Sequence, residues 1–324
     1  MPEITIREAI SRGLREALED ENVFIMGEDV GSYGGAYAVT KGFLQKYGPE
    51  RIKDTPIAES VMAGAGVGAA MGGMKPIVEI MTINFMLLAM DQVVNHAAKM
   101  RYMSNGQIEV PLIVRTVTGG GGQLGATHSQ SFEGWFASVP GLKVAVPSTP
   151  YDALGLLRSA VAERDPVIFA EHALLYGVKG EVPDEHYEVP FGQAKVRQEG
   201  KDITLVGHLR MVGVAMKVAE ALAKKGREAE VIDLRSLRPL DVDTVIESVK
   251  KTNRIVVLDE NWQTGSFAAE IVSAVQEHAF DYLDGPVGRV GGLDVPAPYS
   301  RGLEAAVAPT PERVLDTIKE LYGL

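Results

Sequence analysis

The spacing of apolar and polar positions divides the chain into short strands and longer helices. In "TIREAISRGLREALED", apolar residues fall at positions 6, 9, 10, 14, 17 and 18, the spacing of one helix face, and Thr5 with Glu8 three residues on forms a capping box. "VFIMG" is an apolar run short enough for a buried strand, closed by the acidic turn "EDVG". Residues 60–73 predict a helix of small residues, "KPIVEIM" a strand, residues 84–103 a helix and "VPLIVRT" a strand. "GLKVAVPS" reads as a strand, "TPYDALGLLRSAVAERD" as a helix and "PVIFAE" as a strand. Periodicity lapses in "YGVKGEVPDEHYEVPFG". It resumes with "DITLVG", helix 211–225, "EAEVIDL", helix 241–251, "RIVVLDE", helix 265–277, "VGRVGG" and a last helix at 310–322. Strands alternating with helices predict an α/β protein whose parallel sheets are covered on both faces. The expected division is a first domain at 1–175, a linker at 176–195 and a second domain at 196–324.

Composition narrows the class. A chain of 324 residues exceeds what one core usually fills, in keeping with two domains. A net charge of −11 argues against nucleic acid or an anionic membrane as partner, because neither would gain from counterion release. No apolar run reaches about 18 residues, so no membrane span is expected. The opening "MPEITIREAI" lacks the regions of a signal peptide, and a cytoplasmic location is expected. With no cysteine, disulfides, thiolate metal sites and thiol nucleophiles are excluded.

Candidate chemistry begins at Glu59, an acid at the mouth of the apolar run "VMAGAGVGAAMGG". Such a group costs free energy unless it has a partner. Gly64, Gly66 and Ala69 match a loose dinucleotide fingerprint, but that motif needs a buried strand directly before it, and "KDTPIAES" is polar and broken by Pro56. The reading adopted is a helix whose small face permits close approach. Glu28 and Asp29 lie at the carboxyl end of a strand, where parallel sheets bind ligands, although an N-cap is the plainer role. Carboxylates converging on one cleft raise one another's pKa, which suits proton transfer. "TGGGGQLGATHSQ" is either a flexible surface loop or a hinge that delivers His128 and Ser129 to substrate; it lacks the Lys-Ser/Thr of a phosphate loop. The other histidines (96, 172, 186, 208 and 278) have no metal-ligand spacing and read as structural. Met81 and Phe85 are more often core than ligand platform.

Taken together, "GEDVG", "YGPERIKDTPIAE", "GAAMGGMKPIVEIMTINF", "MDQVVNHAAKMRYMSNGQ", "GATHSQSFEGWFASVPGLKV" and "IDLRSLRPLD" resemble the β-subunit of thiamine-diphosphate-dependent 2-oxo acid dehydrogenases. This is the decarboxylating component of the pyruvate, branched-chain 2-oxo acid and acetoin dehydrogenase complexes. The resemblance runs from about residue 3 to the end. It implies a transketolase-like fold of two doubly wound domains, a pyrimidine-binding domain followed by a transketolase C-terminal-like domain. It also implies an active site shared with an α-subunit in an α2β2 heterotetramer. Glu59 then matches the glutamate that hydrogen-bonds the cofactor's pyrimidine ring and favours its imino tautomer. Phe85 matches the aromatic packed on that ring and Met81 its apolar neighbour. Ile57, Glu28 and Asp29 fall at cofactor-binding positions. Asp91 extends an acidic proton path, and His128 meets substrate or the lipoyl group. Leu112, Ala160, Glu163 and Asp165 match positions that hold a potassium ion in some relatives, although Glu163 and Asp165 replace an Asp and an Asn.

The Gly-Asp-Gly stretch by which the family binds magnesium and diphosphate does not occur; the nearest is "LDGP" at 283–286. The chain is therefore expected to carry half a site, with magnesium held by the α-subunit. The further partners implied are a 2-oxo acid, pyruvate favoured over acetoin or a branched-chain acid, and a dihydrolipoyl acyltransferase core. Asp281, Asp284 and Asp294 are the candidate docking charges for that core. A dinucleotide-dependent dehydrogenase and a non-catalytic scaffold are the competing readings.

Overall fold

The computed structural model describes residues 2–324. In chain order the elements are β1 (Glu3–Thr5), α1 (Ile6–Ala17), β2 (Val23–Gly27), α2 (Phe43–Tyr47), β3 (Ile52–Asp54), α3 (Glu59–Met71) and β4 (Lys75–Ile80). A 3₁₀ turn (Phe85–Ala89), a π-helical stretch (Gln92–Ala97) and α4 (Ala98–Met103) follow without a break in direction. Next come β5 (Ile113–Thr118), α5 (Glu133–Ala137), β6 (Lys143–Ala145), α6 (Pro150–Ala162), β7 (Val167–His172), β8 (Lys179–Glu181) and β9 (Lys195–Gln198). The rest of the chain forms β10 (Ile203–Gly207), α7 (Arg210–Ala223), β11 (Ala229–Asp233), β12 (Ser236–Arg238), α8 (Val242–Thr252), β13 (Ile255–Trp262), α9 (Ala268–Ala279), β14 (Gly288–Gly292), α10 (Arg301–Val307) and α11 (Pro311–Tyr322).

Two compact units result: one of residues 2–118, 135–191 and 237–239, the other of residues 119–134, 192–236 and 240–324. The first holds a seven-stranded sheet in the order β12-β6-β7-β5-β4-β2-β3, its registered pairs from β6 to β3 all parallel. Side chains alternate between faces along a strand. Ile77 of β4 joins the cluster made with Ile10 and Leu14 of α1 and Leu154 and Leu157 of α6. Its neighbour Val78 faces α3, where Gly66 lets the helix lie close. Both residues are buried, so the sheet is covered on both sides. The expected capping box is present: the Glu8 N–H donates to Thr5 Oγ1 at 3.2 Å and the Thr5 N–H to Glu8 Oε2 at 2.7 Å.

Of the stretch expected as linker, residues 176–191 are packed in this unit and residues 192–195 belong to the other. β8 pairs antiparallel with β1, and Val182 and Val189 are buried. The helix expected at 84–103 runs in three hydrogen-bonding patterns rather than one. π-Helical turns of this kind concentrate at functional sites.

The second unit holds a five-stranded sheet, β14-β13-β10-β11-β9, parallel except for the edge strand β9. Leu205, Val256 and Val290 pack against Val214 and Val218 of α7 and Val314 and Ile318 of α11. On the other face, the Thr204 hydroxyl meets Ser248 and Thr252 of α8, each at 2.6 Å, so α8 is seated by buried hydroxyl pairs as well as by apolar contact.

Candidate active site

The carboxyl end of β2 is built by a short circuit of backbone bonds. Asp54, at the end of β3, accepts the Gly31 N–H at 2.6 Å and the Ser32 N–H at 2.9 Å, and the Thr55 N–H donates to the Gly27 carbonyl at 3.0 Å. Asp29 stands in the left-handed region at φ 57°, which an Asp tolerates better than most residues. These bonds run the segment leading to Glu59 past the end of β2 and so set Glu28 against Glu59. β3 does precede α3, but it is a three-residue edge strand set apart from the helix by Pro56, unlike the buried strand a dinucleotide fold requires.

Glu59 is the first residue of α3 and is 3% exposed. No side chain caps this helix N-terminus, so its free amides and dipole favour an anion here. Among the described residues, none donates a hydrogen bond to the Glu59 carboxylate. Glu28 Oε1 is likewise buried without a hydrogen-bond partner. Burial first, then the charges of Glu59 and Asp29, push the Glu28 carboxyl above the usual carboxylate range. A buried, unpartnered carboxylate oxygen beside a second buried acid suits a ligand that presents a hydrogen-bond donor, such as the exocyclic amine of an aminopyrimidine.

The remaining candidates of this unit surround α3. The 3₁₀ turn that begins at Phe85 and the π-helical stretch both pack on the helix, and Gln92 approaches Gly64. Phe85 and Met81 are half-buried, and Ile57 is 81% exposed. Asp91 is exposed; its carboxylate accepts from Asn95 at 2.7 Å and Gln92 at 3.2 Å, with His96 at 3.6 Å.

The four expected potassium positions are only partly suited to a cation. Glu163 already pairs with Lys143 at 2.5 Å and Asp165 with Arg101 at 2.8 Å. The Leu112 and Ala160 carbonyls accept from Val167 and Glu163, each keeping a second lone pair. A monovalent ion there would rest on carbonyls, not on the two acids.

His128 belongs to the second unit. It is exposed, with Nδ1 at 2.8 Å from Thr127 Oγ1, and its N–H donates to the Gly125 carbonyl at 3.2 Å. The glycine loop before it is tied down: the Gly121 and Gln123 amides donate to the buried Glu304 of α10. Sequence reading missed Glu304, since nothing in "SRGLEAAVA" points to a partner some 180 residues earlier.

This unit also has a buried acidic cluster that the spacing of its residues did not reveal. His208 Nε2 is 3.3 Å from Glu133 Oε1, and their polar atoms lie within 4.8 Å of Asp259. Burial alone would lower the His208 pKa, but its hydrogen bond to Glu133 and the charges of Asp259, Glu133 and Asp233 outweigh this and raise it. Asp259 accepts the Asn261 and Ala268 amides at 3.0 and 3.2 Å, so its oxygens are committed to the backbone. The cluster is a self-contained hydrogen-bonded group rather than an open ligand set. Of the proposed docking acids, Asp284 pairs with Arg254 at 2.6 Å and Asp294 accepts from Thr264 at 2.7 Å. That leaves Asp281 as the uncommitted charge among the three.

A parallel sheet with an inward pair of acids at its carboxyl end, followed by a second α/β unit, defines a transketolase-like chain. The model of the transketolase pyrimidine-binding domain matches residues 2–179, and that of the transketolase C-terminal domain matches residues 192–314. A solved split-gene transketolase, an inactive β4 tetramer, superposes with a TM-score of 0.81 over 99% of each chain at 23% identity, a likeness of fold. Among curated relatives, pyruvate dehydrogenase E1 component subunit beta-1, mitochondrial, of Oryza sativa subsp. japonica is 49% identical over 322 residues, covering 98% of this chain and 86% of that one. The pyruvate dehydrogenase E1 component subunit beta of Rickettsia felis is 45% identical over 320 residues, covering 98% of each. The chain belongs to the family of pyruvate dehydrogenase E1 β-subunits, and is thus the β-subunit of a 2-oxo acid dehydrogenase, an oxidoreductase component whose family works with thiamine diphosphate.

Proposed function

We propose that the chain acts with an α-subunit, in an α2β2 heterotetramer, to decarboxylate pyruvate and pass the acyl group to a lipoyl group on a dihydrolipoyl acyltransferase. The observation that carries this reading is the buried, unpartnered Glu28 Oε1 at the end of β2, beside the buried Glu59. Thiamine diphosphate, when bound, supplies the carbanion that the protein's own groups cannot form.

Glu59 hydrogen-bonds the ring and exchanges a proton with it at its carboxylate. Glu28, its carboxyl pushed upward, holds or releases a second proton beside it. Phe85, Met81 and Ile57 orient the ring by apolar contact, and Asp91 at the exposed end passes protons outward. His128 meets the incoming acyl acceptor. Magnesium and the diphosphate belong to the α-subunit, since this chain lacks a Gly-Asp-Gly stretch. A potassium ion, where present, is held by the carbonyls of Leu112 and Ala160. A cytoplasmic location completes the reading, supported by the cysteine-free composition.

The test is the variant Glu59→Gln in the tetramer reconstituted with its α-subunit. The amide keeps the shape but cannot share a proton. Pyruvate turnover should fall about 10²–10⁴-fold, the usual contribution of a general acid–base group, with the fold unchanged by circular dichroism. Near-normal turnover would refute the role. Parallel assays with acetoin and 2-oxoisovalerate decide the substrate.

A further inference from the structure

The loop that leads to His128 is rich in glycine and by composition should be loose, since each glycine has much conformational freedom to lose. Its backbone instead turns through a run of left-handed residues: Gly119 at φ 86°, Gly121 at 94°, Gln123 at 57° and Gly125 at 79°. Such turns aim successive amides into one concavity, a nest that favours an anion. The anion here is a side chain of the same unit. Glu304 Oε1 accepts the Gly121 N–H at 2.9 Å and the Gln123 N–H at 3.2 Å, while Oε2 accepts the Gln123 N–H at 3.0 Å. Glu304 is 6% exposed, so the acceptor end of these charge-assisted bonds is shielded from competing water.

The clasp is reinforced on both sides. The Gly120 N–H donates at 3.2 Å to Glu260, which is paired with Arg210 at 3.1 Å. Tyr299, just before α10, lies on Gly125 so closely that a Cβ there would fall 2.4 Å from its ring carbons. The Gly125 carbonyl in turn accepts the His128 N–H. The chain of contacts therefore runs from Glu304 through the nest and Gly125 to His128.

We infer that Glu304 is a positioning residue for His128: by filling the amide nest, its carboxylate sets where the imidazole stands. The inference rests on the reading that His128 meets the acyl acceptor. Misplacing a reacting group by about 1 Å costs on the order of 10²-fold, so a freed loop should be felt at that step.

The experiment measures reductive acylation of a lipoylated domain by the reconstituted tetramer carrying Glu304→Ala, Glu304→Gln, His128→Ala or Glu304→Ala with His128→Ala. Amide hydrogen exchange of Gly121 and Gln123 is followed in the same samples. Glu304→Ala should lower acylation about 10- to 100-fold and expose both amides to exchange. Glu304→Gln, which keeps Oε1 as acceptor, should recover most of the loss, and the double variant should be no worse than His128→Ala. If His128→Ala is impaired but Glu304→Ala is not, or if their losses multiply in the double variant, the positioning role is wrong while the His128 reading stands. If His128→Ala leaves acylation unchanged, the reading and the inference fall together. Unchanged amide protection in Glu304→Ala would also overturn the inference.

Discussion

Arg115 lies in the middle of β5 with two carboxylates on it. Its Nε and Nη2 donate to Glu171 at 2.7 and 2.9 Å, its Nη1 donates to Glu79 at 2.6 Å, and the Tyr176 hydroxyl donates to Glu171 at 2.7 Å. Burial pushes the Glu79 carboxyl up even though Arg115 pulls it down. Removing the guanidinium would leave two acids buried without their cation. Arg115→Met should therefore cost about 3–5 kcal/mol in urea unfolding, as breaking a buried pair usually does. A loss below 1 kcal/mol would mean the acids simply take up protons. His208 allows a prediction in pH. Its folded pKa is raised above the unfolded value of about 6.5. The stabilisation from Glu133, Asp259 and Asp233 is thus full below about pH 6.5 and lost as pH rises through the folded pKa. The advantage of wild type over His208→Gln should be largest near pH 6 and shrink by pH 9. An equal gap at both values would contradict the assignment. The strand charges were visible in the sequence, each a single ion inside an apolar run ("IVEIM", "LIVRT", "IFAEH"), but their partnership depends on which strands are neighbours.

At the level of elements, α3 carries Glu59, and the approach of the helix to the sheet is set by one glycine. A Cβ on Gly66 would fall 2.7 Å from Val78 Cγ2 and 3.1 Å from Leu112 Cδ1. Gly66→Val should cost about 1–3 kcal/mol through overpacking and shift the helix that carries Glu59. Turnover of the reconstituted tetramer should drop with it. Thermal unfolding together with activity tests this, and an unchanged melting temperature would show that α3 does not depend on the close approach. Gly13 plays the same part for α1, where a Cβ would fall 2.8 Å from Leu157 Cδ2. The small-residue stripe of α3 and the capping box of α1 were both legible because each is a local pattern. β8, β9 and α10 were not, being too short for periodicity to show.

At the scale of the whole molecule, the proposed reading gives the chain acceptors for a pyrimidine, while its sequence has no Gly-Asp-Gly stretch for a diphosphate. We expect the isolated chain to bind thiamine diphosphate weakly or not at all, even with magnesium, and to bind it once the α-subunit is added. Calorimetry decides this; tight stoichiometric binding by the chain alone would overturn the division of the site. Docking of an acyltransferase, steered by the net charge of −11, should weaken as salt rises, because exposed charges are screened within about 10 Å at 0.1 M. With Asp284 and Asp294 already bonded within the chain, Asp281 is the residue whose reversal should change the salt slope.

By itself, the sequence determined the alternation of strands and helices, the two α/β units, the acid at the mouth of the small-residue helix and, through long ordered motifs, the family. These are encoded in spacings of a few residues or in the linear order of segments, and both survive without coordinates in three dimensions. Only the tertiary structure decided that Glu28 keeps a buried oxygen unmet, that Glu133, His208 and Asp259 meet, and that Glu304 closes on a loop some 180 residues before it. The physical reason is that burial, charge pairing and amide capture depend on distances between segments remote in sequence. Those distances are set when the strands take their order in the sheets and the loops between them are tied down.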